Sequence, residues 1–453
     1  RYSGYPEPAN GGRPPRLSSA IGPRPMIVLV IGGSCFVGRA LVDALVDSSR
    51  ASGDLGHLPD ISRVVVLNRG RKYWRRQNSK SRSDLPASVM HLKCDRMKKR
   101  RLAKAMDDLR ESREFQGEKI CVVDFCAYKP SHLRPVIKSL QQRLTHYVFI
   151  SSDSIYEVCG KPRDSGPSGD SGRSPDRSSR HLRESDAVRP SSEKEKQRLK
   201  GKDSYGHKKL RCEEYLARKS GKYNFASTSL RLCDVIGPYD NTDRFWSSYL
   251  WFKYAGDQPV RSDGELQTRL SLTSSQDAVS AIIRVLQNVS GPGIDSKESR
   301  DSYRSRLKSY NVAMKETPSL LEFLRMIASH AKQPRPRKAE DSKEMEEEKN
   351  RDGKTDPSPQ SYNIDVPMVK SKDEGGIPYP YFPSVTRGPV SVQSIVKALK
   401  WEPPMTLAEA VKKACEFFEM AETDFPEEAA EAVKNLPRRV RSMVKSRMRP
   451  AFS

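Results

Sequence analysis

The run Met26-Ile-Val-Leu-Val-Ile31 passes without a break into Gly32-Gly-Ser-Cys-Phe-Val-Gly38 and then into Arg39-Ala-Leu-Val-Asp-Ala-Leu-Val46. Six apolar residues in a row are too few for a buried helix and suit a strand covered on both faces. Leu41, Val42, Leu45 and Val46 recur at helical spacing, so an amphipathic helix follows. Gly32 permits the tight turn between the two elements, and Gly38 lets the helix lie close to the strand. Strand, glycine turn and helix in that order open a parallel α/β sheet.

The rhythm continues. Strands are expected at Arg63-Val-Val-Val-Leu67, Ile120-Cys-Val-Val-Asp124 and His146-Tyr-Val-Phe-Ile150, with helical patterns at Leu102 to Leu109 and Arg134 to Leu140. This alternation predicts a doubly wound parallel sheet of the Rossmann type with a smaller C-terminal lobe. Four polar stretches interrupt it: Lys72 to Asp84, Lys161 to Lys202, Gly291 to Arg306 and Lys332 to Gln360. They are read as disordered insertions in surface loops, because they carry too little apolar surface to fold alone. With 453 residues of which only 36% are hydrophobic, one large domain with insertions fits better than several cores. The expected division is a leader over 1–25, a nucleotide-binding domain over 26–230, a substrate lobe over 231–420 and a basic tail over 421–453. In that tail a helix at Glu427 to Val433 leads into the run Arg438 to Arg449, which reads as a solvated segment or as a contact for phosphates.

Lysine and arginine outnumber the acids 81 to 57, a net charge of +24 that favours polyanionic partners or merely solvates the insertions. The eight cysteines show neither C-x-x-C spacing nor a dense disulfide pattern, so a reducing compartment is expected and no metal site. No apolar run reaches the roughly 18 residues of a transmembrane helix. The segment Arg1 to Pro25 reads as the remnant of a transit peptide or as a disordered leader, leaving the cytoplasm and an organellar matrix both open.

The turn Gly32, Gly33, Ser34, Cys35, Phe36, Val37, Gly38 stands where a dinucleotide-binding turn must stand, since the helix start offers free N–H groups and a positive dipole to a pyrophosphate. A plain strand-helix turn is the alternative. The second strand ends in Asn68-Arg69, and a cation there suits the 2′-phosphate of NADP, or is simply an exposed loop arginine. Asp95, after the expected third strand, could accept from an adenine amino group. Ser152 closes a strand, and Tyr205 and Lys209 lie one helical turn apart on one face. The ammonium is expected to lower the Tyr205 phenol from about 10 toward working pH, making it a general acid or base, with Ser152 sharing the substrate oxygen. Taken alone, Y-x-x-x-K is common by chance. Arg269 and Tyr249 are candidates for substrate contact by position only, and Asp277 reads as a helix cap.

Taken together and in order, IGGSCFVGR, VVVLNRG, the Asp95 segment, DFCAYKP, YVFISSDSIYE, SYGHKKL, LRLCDVIGPYDNTDRFW, YNVA and KALKWEPPMTLAEAV resemble the extended short-chain dehydrogenase/reductase superfamily. Within it they resemble the NAD-dependent epimerase/dehydratase family, in the branch with a GGTRFVG-type first turn. The resemblance runs from about residue 26 to about 420 and implies that Gly32, Gly33 and Gly38 contact the pyrophosphate. It further implies that Ser152, Tyr205 and Lys209 are the catalytic set, with Lys209 also holding the nicotinamide ribose. NADP or NAD is the implied cofactor, and transient hydride transfer on a small molecule such as a nucleotide sugar the implied reaction. Cys35 replaces the middle glycine of G-x-x-G-x-x-G and crowds the approach to the pyrophosphate, although that branch also lacks this glycine. Some plastid members of the branch look like RNA-binding proteins. The alternative expectation is therefore a non-catalytic scaffold that holds RNA or an assembly partner through basic insertions. A homodimer is left open.

Overall fold

The computed structural model describes residues 25–47, 60–71, 74, 85–160, 181–258, 260–261, 269–290, 308–331, 368–369, 377–378 and 388–448. Its strands are β1 (Met26–Ile31), β2 (Ile61–Asn68), β3 (Met90–Lys93), β4 (Lys119–Asp124), β5 (Leu144–Ser152), β6 (Ala226–Leu232), β7 (Asp234–Ile236), β8 (Val260–Arg261), β9 (Leu272–Ser274), β10 (Lys308–Val312), β11 (Met368–Val369) and β12 (Ile377–Pro378). Seven of them form one sheet in the order β10-β6-β5-β4-β1-β2-β3, every neighbouring pair parallel. The helices around it are α1 (Phe36–Val46), α2 (Lys99–Glu111), α3 (Pro130–Leu140), α4 (Glu193–Lys202), α5 (Ser204–Tyr223), α6 (Arg244–Ala255), α7 (Ser275–Ser290), α8 (Leu320–Ala331), α9 (Gln393–Leu399), α10 (Leu407–Asp424), α11 (Pro426–Asn435) and α12 (Arg438–Arg447).

Because successive strand residues point to opposite faces, the unbroken apolar run of β1 serves two cores. Met26, Val28 and Val30 pack with α1 and α7 on one face, and Ile27, Leu29 and Ile31 with α2, α3 and α5 on the other. From β1 the chain builds β2 and β3 on one side, then returns to β4 on the other. The strand order therefore reverses between the carboxyl ends of β1 and β4, where such folds open a ligand crevice. Ser274 and Asp277 close the start of α7 reciprocally, each side chain accepting from the other's N–H at 2.9 and 3.0 Å, so Asp277 has the capping role read from the sequence.

A third core joins α6, α8, α10, α11 and α12 around Trp246, Phe245, Phe323 and Phe418. Three stretches depart from expectation. Trp74, inside the first polar insertion, is buried against Trp246, Tyr239, Phe417 and Phe425, because its indole finds an aromatic pocket that no local pattern announces. In the second insertion, residues 181–202 are folded: Leu182 bridges to Val390, and Ser192 caps α4, which buries Leu199. In the stretch read as a basic tail, α11 covers the helix expected at Glu427 to Val433, whereas the run from Arg438 forms α12, and Val440 and Val444 of that helix, with Met448 just beyond its end, enter the third core at helical spacing. The insertions Gly291 to Arg306 and Lys332 to Gln360, residues 161–180 and the leader up to residue 24 lie outside the described residues.

Candidate active site

The glycine turn is closed to side chains at two points. Gly32 has φ +99°, and a Cβ on it would come within 2.3 Å of Cys126 Sγ; a Cβ on Gly38 would come within 2.3 Å of the Gly32 carbonyl oxygen. Gly33 instead faces Val30, Val42 and Val66, so its small size serves core packing. Helix α1 starts without a side-chain cap from Cys35. The Phe36 N–H donates to the Tyr239 carbonyl at 3.1 Å, whereas the amides of the buried residues Val37 and Gly38 make no hydrogen bond within the described protein. Two buried, unpaired amides at the positive end of a helix suit an anion, and a dinucleotide's diphosphate meets that demand. Ser34 and Cys35 are half-buried beside them. Burial, with Cys126 and Asp240 nearby, pushes the Cys35 thiol up to about 11, so it stays protonated and brings no negative charge to the turn.

At the end of β2, the Asn68 side-chain carbonyl accepts from the Gly70 amide at 2.7 Å and meets His91 Nε2 at 2.9 Å, fixing a turn in which Gly70 has φ +71°. Arg69 is exposed beside it. Asp95 accepts from the Met97 amide at 2.9 Å.

Strand β5 ends at Ser152, whose hydroxyl accepts from the Ser154 amide at 3.2 Å and donates to Asp153 at 3.2 Å. Opposite lies the first turn of α5, opened by Asp203, which accepts from the Gly206 amide at 2.8 Å. Gly206 brings the helix in: a Cβ there would sit 2.2 Å from the Ser154 carbonyl oxygen. Ser152 and Tyr205 are thereby held together, with Ser152 favouring the ionised phenol. Lys209 is buried, donates to the Ile150 carbonyl at 2.7 Å, and lies over the rings of Phe149, Tyr128 and Tyr205 at 4.8, 5.0 and 5.8 Å.

The electrostatics reverse one expectation. Tyr205 is not lowered toward neutral pH. Burial of its hydroxyl, followed by Tyr128 and Asp153, raises the phenol well above its ordinary value, and Ser152 and Arg244 oppose this only in part. The ammonium of Lys209 spends a hydrogen bond on Ile150 and meets the tyrosine ring, and burial depresses Lys209 itself to about 8. Tyr205 as a whole remains 41% exposed.

Several charged groups around the site were not singled out in the sequence. Arg96 pairs with Asp124 through both nitrogens at 2.6 and 2.9 Å and donates to the His132 carbonyl. Burial pushes the Asp124 carboxyl up, but Arg96, Tyr147 and the Cys126 amide outweigh it and hold the group below the usual range. Asp153 is raised by burial and by Asp234, which pairs with Arg244. No local pattern marks these residues, since their partners lie far away in the chain; Gly206, within the quoted SYGHKKL, was legible in principle. Arg269 pairs with Glu322 and donates to the Thr317 carbonyl, and Tyr249 is buried in the third core, where its side chain serves packing. Among the described residues no group of three or more His, Cys, Asp or Glu side chains could hold a metal, and no helix is long and apolar enough to cross a membrane.

Residues 133–295 match the model of the NAD dependent epimerase/dehydratase family. Comparison with curated proteins gives no match. Among solved structures, the chain is similar to UDP-glucose 4-epimerase of Thermus thermophilus in complex with NAD, at 17% identity over 87% of this chain and 100% of that one, with a TM-score of 0.53. It is also similar to dTDP-glucose 4,6-dehydratase of Bacillus anthracis in complex with NAD, at 15% identity over 89% and 99% of the two chains and a TM-score of 0.53. UDP-glucuronic acid 4-epimerase of Bacillus cereus, in complex with UDP-glucuronic acid and NAD, gives 15% identity, 87% and 99% coverage and a TM-score of 0.50. Residues 133–295 thus carry the signature of the NAD dependent epimerase/dehydratase family, and the chain has the fold of these epimerases and dehydratases.

Proposed function

We propose that this protein is an NAD- or NADP-dependent oxidoreductase of the epimerase/dehydratase type, acting on a nucleotide-sugar-type substrate with Ser152, Tyr205 and Lys209 as its catalytic set. The observation that carries the reading is the meeting of the Ser152 and Tyr205 hydroxyls over the buried Lys209. The unpaired amides of Val37 and Gly38 lie at the carboxyl end of the same sheet. Those amides would hold the diphosphate, with Ser34 and Cys35 beside it and Asn68, Arg69 and Asp95 at the ends of the next strands. Bound there, the dinucleotide supplies a hydride acceptor and donor.

The chain's own residues move the proton. Ser152 donates a hydrogen bond to the substrate oxygen, and Tyr205 takes the proton as a hydroxyl becomes a carbonyl and returns it in the reverse sense. A phenol raised by burial stays protonated until positive charge reaches it, and on the protein side Ser152 and Arg244 are the groups that favour its ionised form. The alternative, a non-catalytic scaffold for RNA, rests on basic insertions that are largely outside the described residues and on the outer face of α12.

Calorimetric titration with NAD and NADP, run alongside turnover assays on a panel of nucleotide sugars, tests the reading. Tyr205→Phe is expected to abolish turnover while leaving dinucleotide affinity within about twofold. Wild-type turnover in that variant would remove the general-base assignment.

A further inference from the structure

The start of α6 carries a cation to which the proposed reaction gives no substrate role. Arg244 is the first residue of the helix, and its Nη1 donates to Asp234 at the start of β7. Its Nε and Nη2 make no hydrogen bond with any described residue, and its side chain is 42% exposed. Its charge acts on the Tyr205 hydroxyl and the Asp240 carboxyl, and its partner Asp234 acts on Asp153, which accepts from Ser152 at 3.2 Å, so the pair belongs to the same cluster as the proposed catalytic residues.

The segment that carries it is fixed at several points. A Cβ on Gly237, at φ +146°, would meet Ser275 Oγ at 2.4 Å, and the Tyr239 carbonyl accepts from Phe36 of α1. Asp240 accepts from the Thr242 amide at 2.8 Å, and Asp243 accepts from Asn435 of α11 at 2.7 Å. Asp243 gives α6 no side-chain cap, so the positive end of the helix adds to the guanidinium. A planar guanidinium offers donors on more than one edge; Asp234 fills one and orients the rest.

We propose that Arg244 is a specificity-determining residue of the reaction proposed above, its unfilled guanidinium edge taking an anionic oxygen group of the substrate, phosphate or carboxylate, beside Tyr205. This rests on the reading of Tyr205 as the proton-transferring group. Asp234 holds the arginine and also competes with the ligand for it, so the two residues have opposite effects on anion affinity.

The test uses the full chain with NAD at saturation, so that α1 is occupied, and titrates inorganic pyrophosphate and glucuronate in separate calorimetric runs. Wild type is expected to bind at least one probe. Arg244→Gln should weaken it by about tenfold or more, the loss of a charged hydrogen bond, and Asp234→Asn should tighten it. Binding of pyrophosphate alone identifies a phosphate as the group read, and binding of glucuronate alone identifies a carboxylate. If wild type binds neither probe, if Arg244→Gln binds as wild type does, or if Asp234→Asn fails to tighten binding, the proposal is overturned. The NAD isotherm is recorded first: its absence sinks the dinucleotide reading, while the difference between wild type and Arg244→Gln still reports on Arg244.

Discussion

At the scale of single residues, the site depends as much on what is missing from a side chain as on what is present. Gly206 next to Tyr205 lets α5 approach the Ser154 carbonyl more closely than any Cβ allows. Gly206→Ala is therefore expected to cost about 1–3 kcal/mol as the helix start shifts. Turnover should fall by about a hundredfold through displacement of Tyr205 from Ser152, and melting curves set beside kcat separate the two effects. Unchanged turnover would mean that the close approach is not needed for the chemistry. Arg69 offers a second check. Exposed at the end of β2, it meets no described partner that would hold it away from a ligand, and Arg69→Ala should weaken NADP about tenfold while leaving NAD within twofold. Equal losses for both would remove the 2′-phosphate argument.

At the scale of elements, α12 shows how charge composition misleads. Its ten residues include four arginines and one lysine, and by composition it belongs in solvent. Yet Val440, Val444 and Met448 share one face, and that stripe is enough to seat the helix on the third core while the basic groups look outward. Val444→Asp places an unpaired carboxylate in that core and is expected to destabilise the protein by at least about 3 kcal/mol, read from the denaturant midpoint at unchanged slope. A loss below about 0.5 kcal/mol would show that α12 detaches at little cost. Four strands of the sheet, β1, β2, β4 and β5, were legible because each contains a short apolar run of its own, whereas β6 (ASTSLRL) and β10 (KSYNV) carry no such run and were not read as strands. Helix α4 was not legible either, since its sequence EKEKQRLKGK has a single apolar residue, and Leu199 is buried in a cluster with Ile155, Tyr156, Leu210 and Val390, brought from elsewhere in the chain.

For the whole molecule, buried titratable groups tie stability to pH. His146 is enclosed by the sheet, meets Thr228 Oγ1 at 3.0 Å, and is depressed by burial and by Lys308 from 6.5 to about 3. A histidine depressed in the folded state leaves the unfolded chain to bind the proton first. Its contribution is fully present above pH 6.5 and is lost as pH falls from there toward 3, at up to about 1.4 kcal/mol per pH unit. His146→Gln should flatten the dependence of unfolding free energy on pH over that window, and an unaltered slope would show that other groups dominate. The sequence by itself determined the parallel sheet, the closed glycine turn and the order of Ser152, Tyr205 and Lys209, because strand length, helical spacing and glycine's freedom are local properties. Only the tertiary structure decided the environment of those groups: that burial raises Tyr205, that Arg96 holds Asp124 ionised, that Trp74 fills an aromatic core and that Arg244 pairs with Asp234. Desolvation and pairing depend on which distant segments the fold brings together, and a linear pattern carries no record of that.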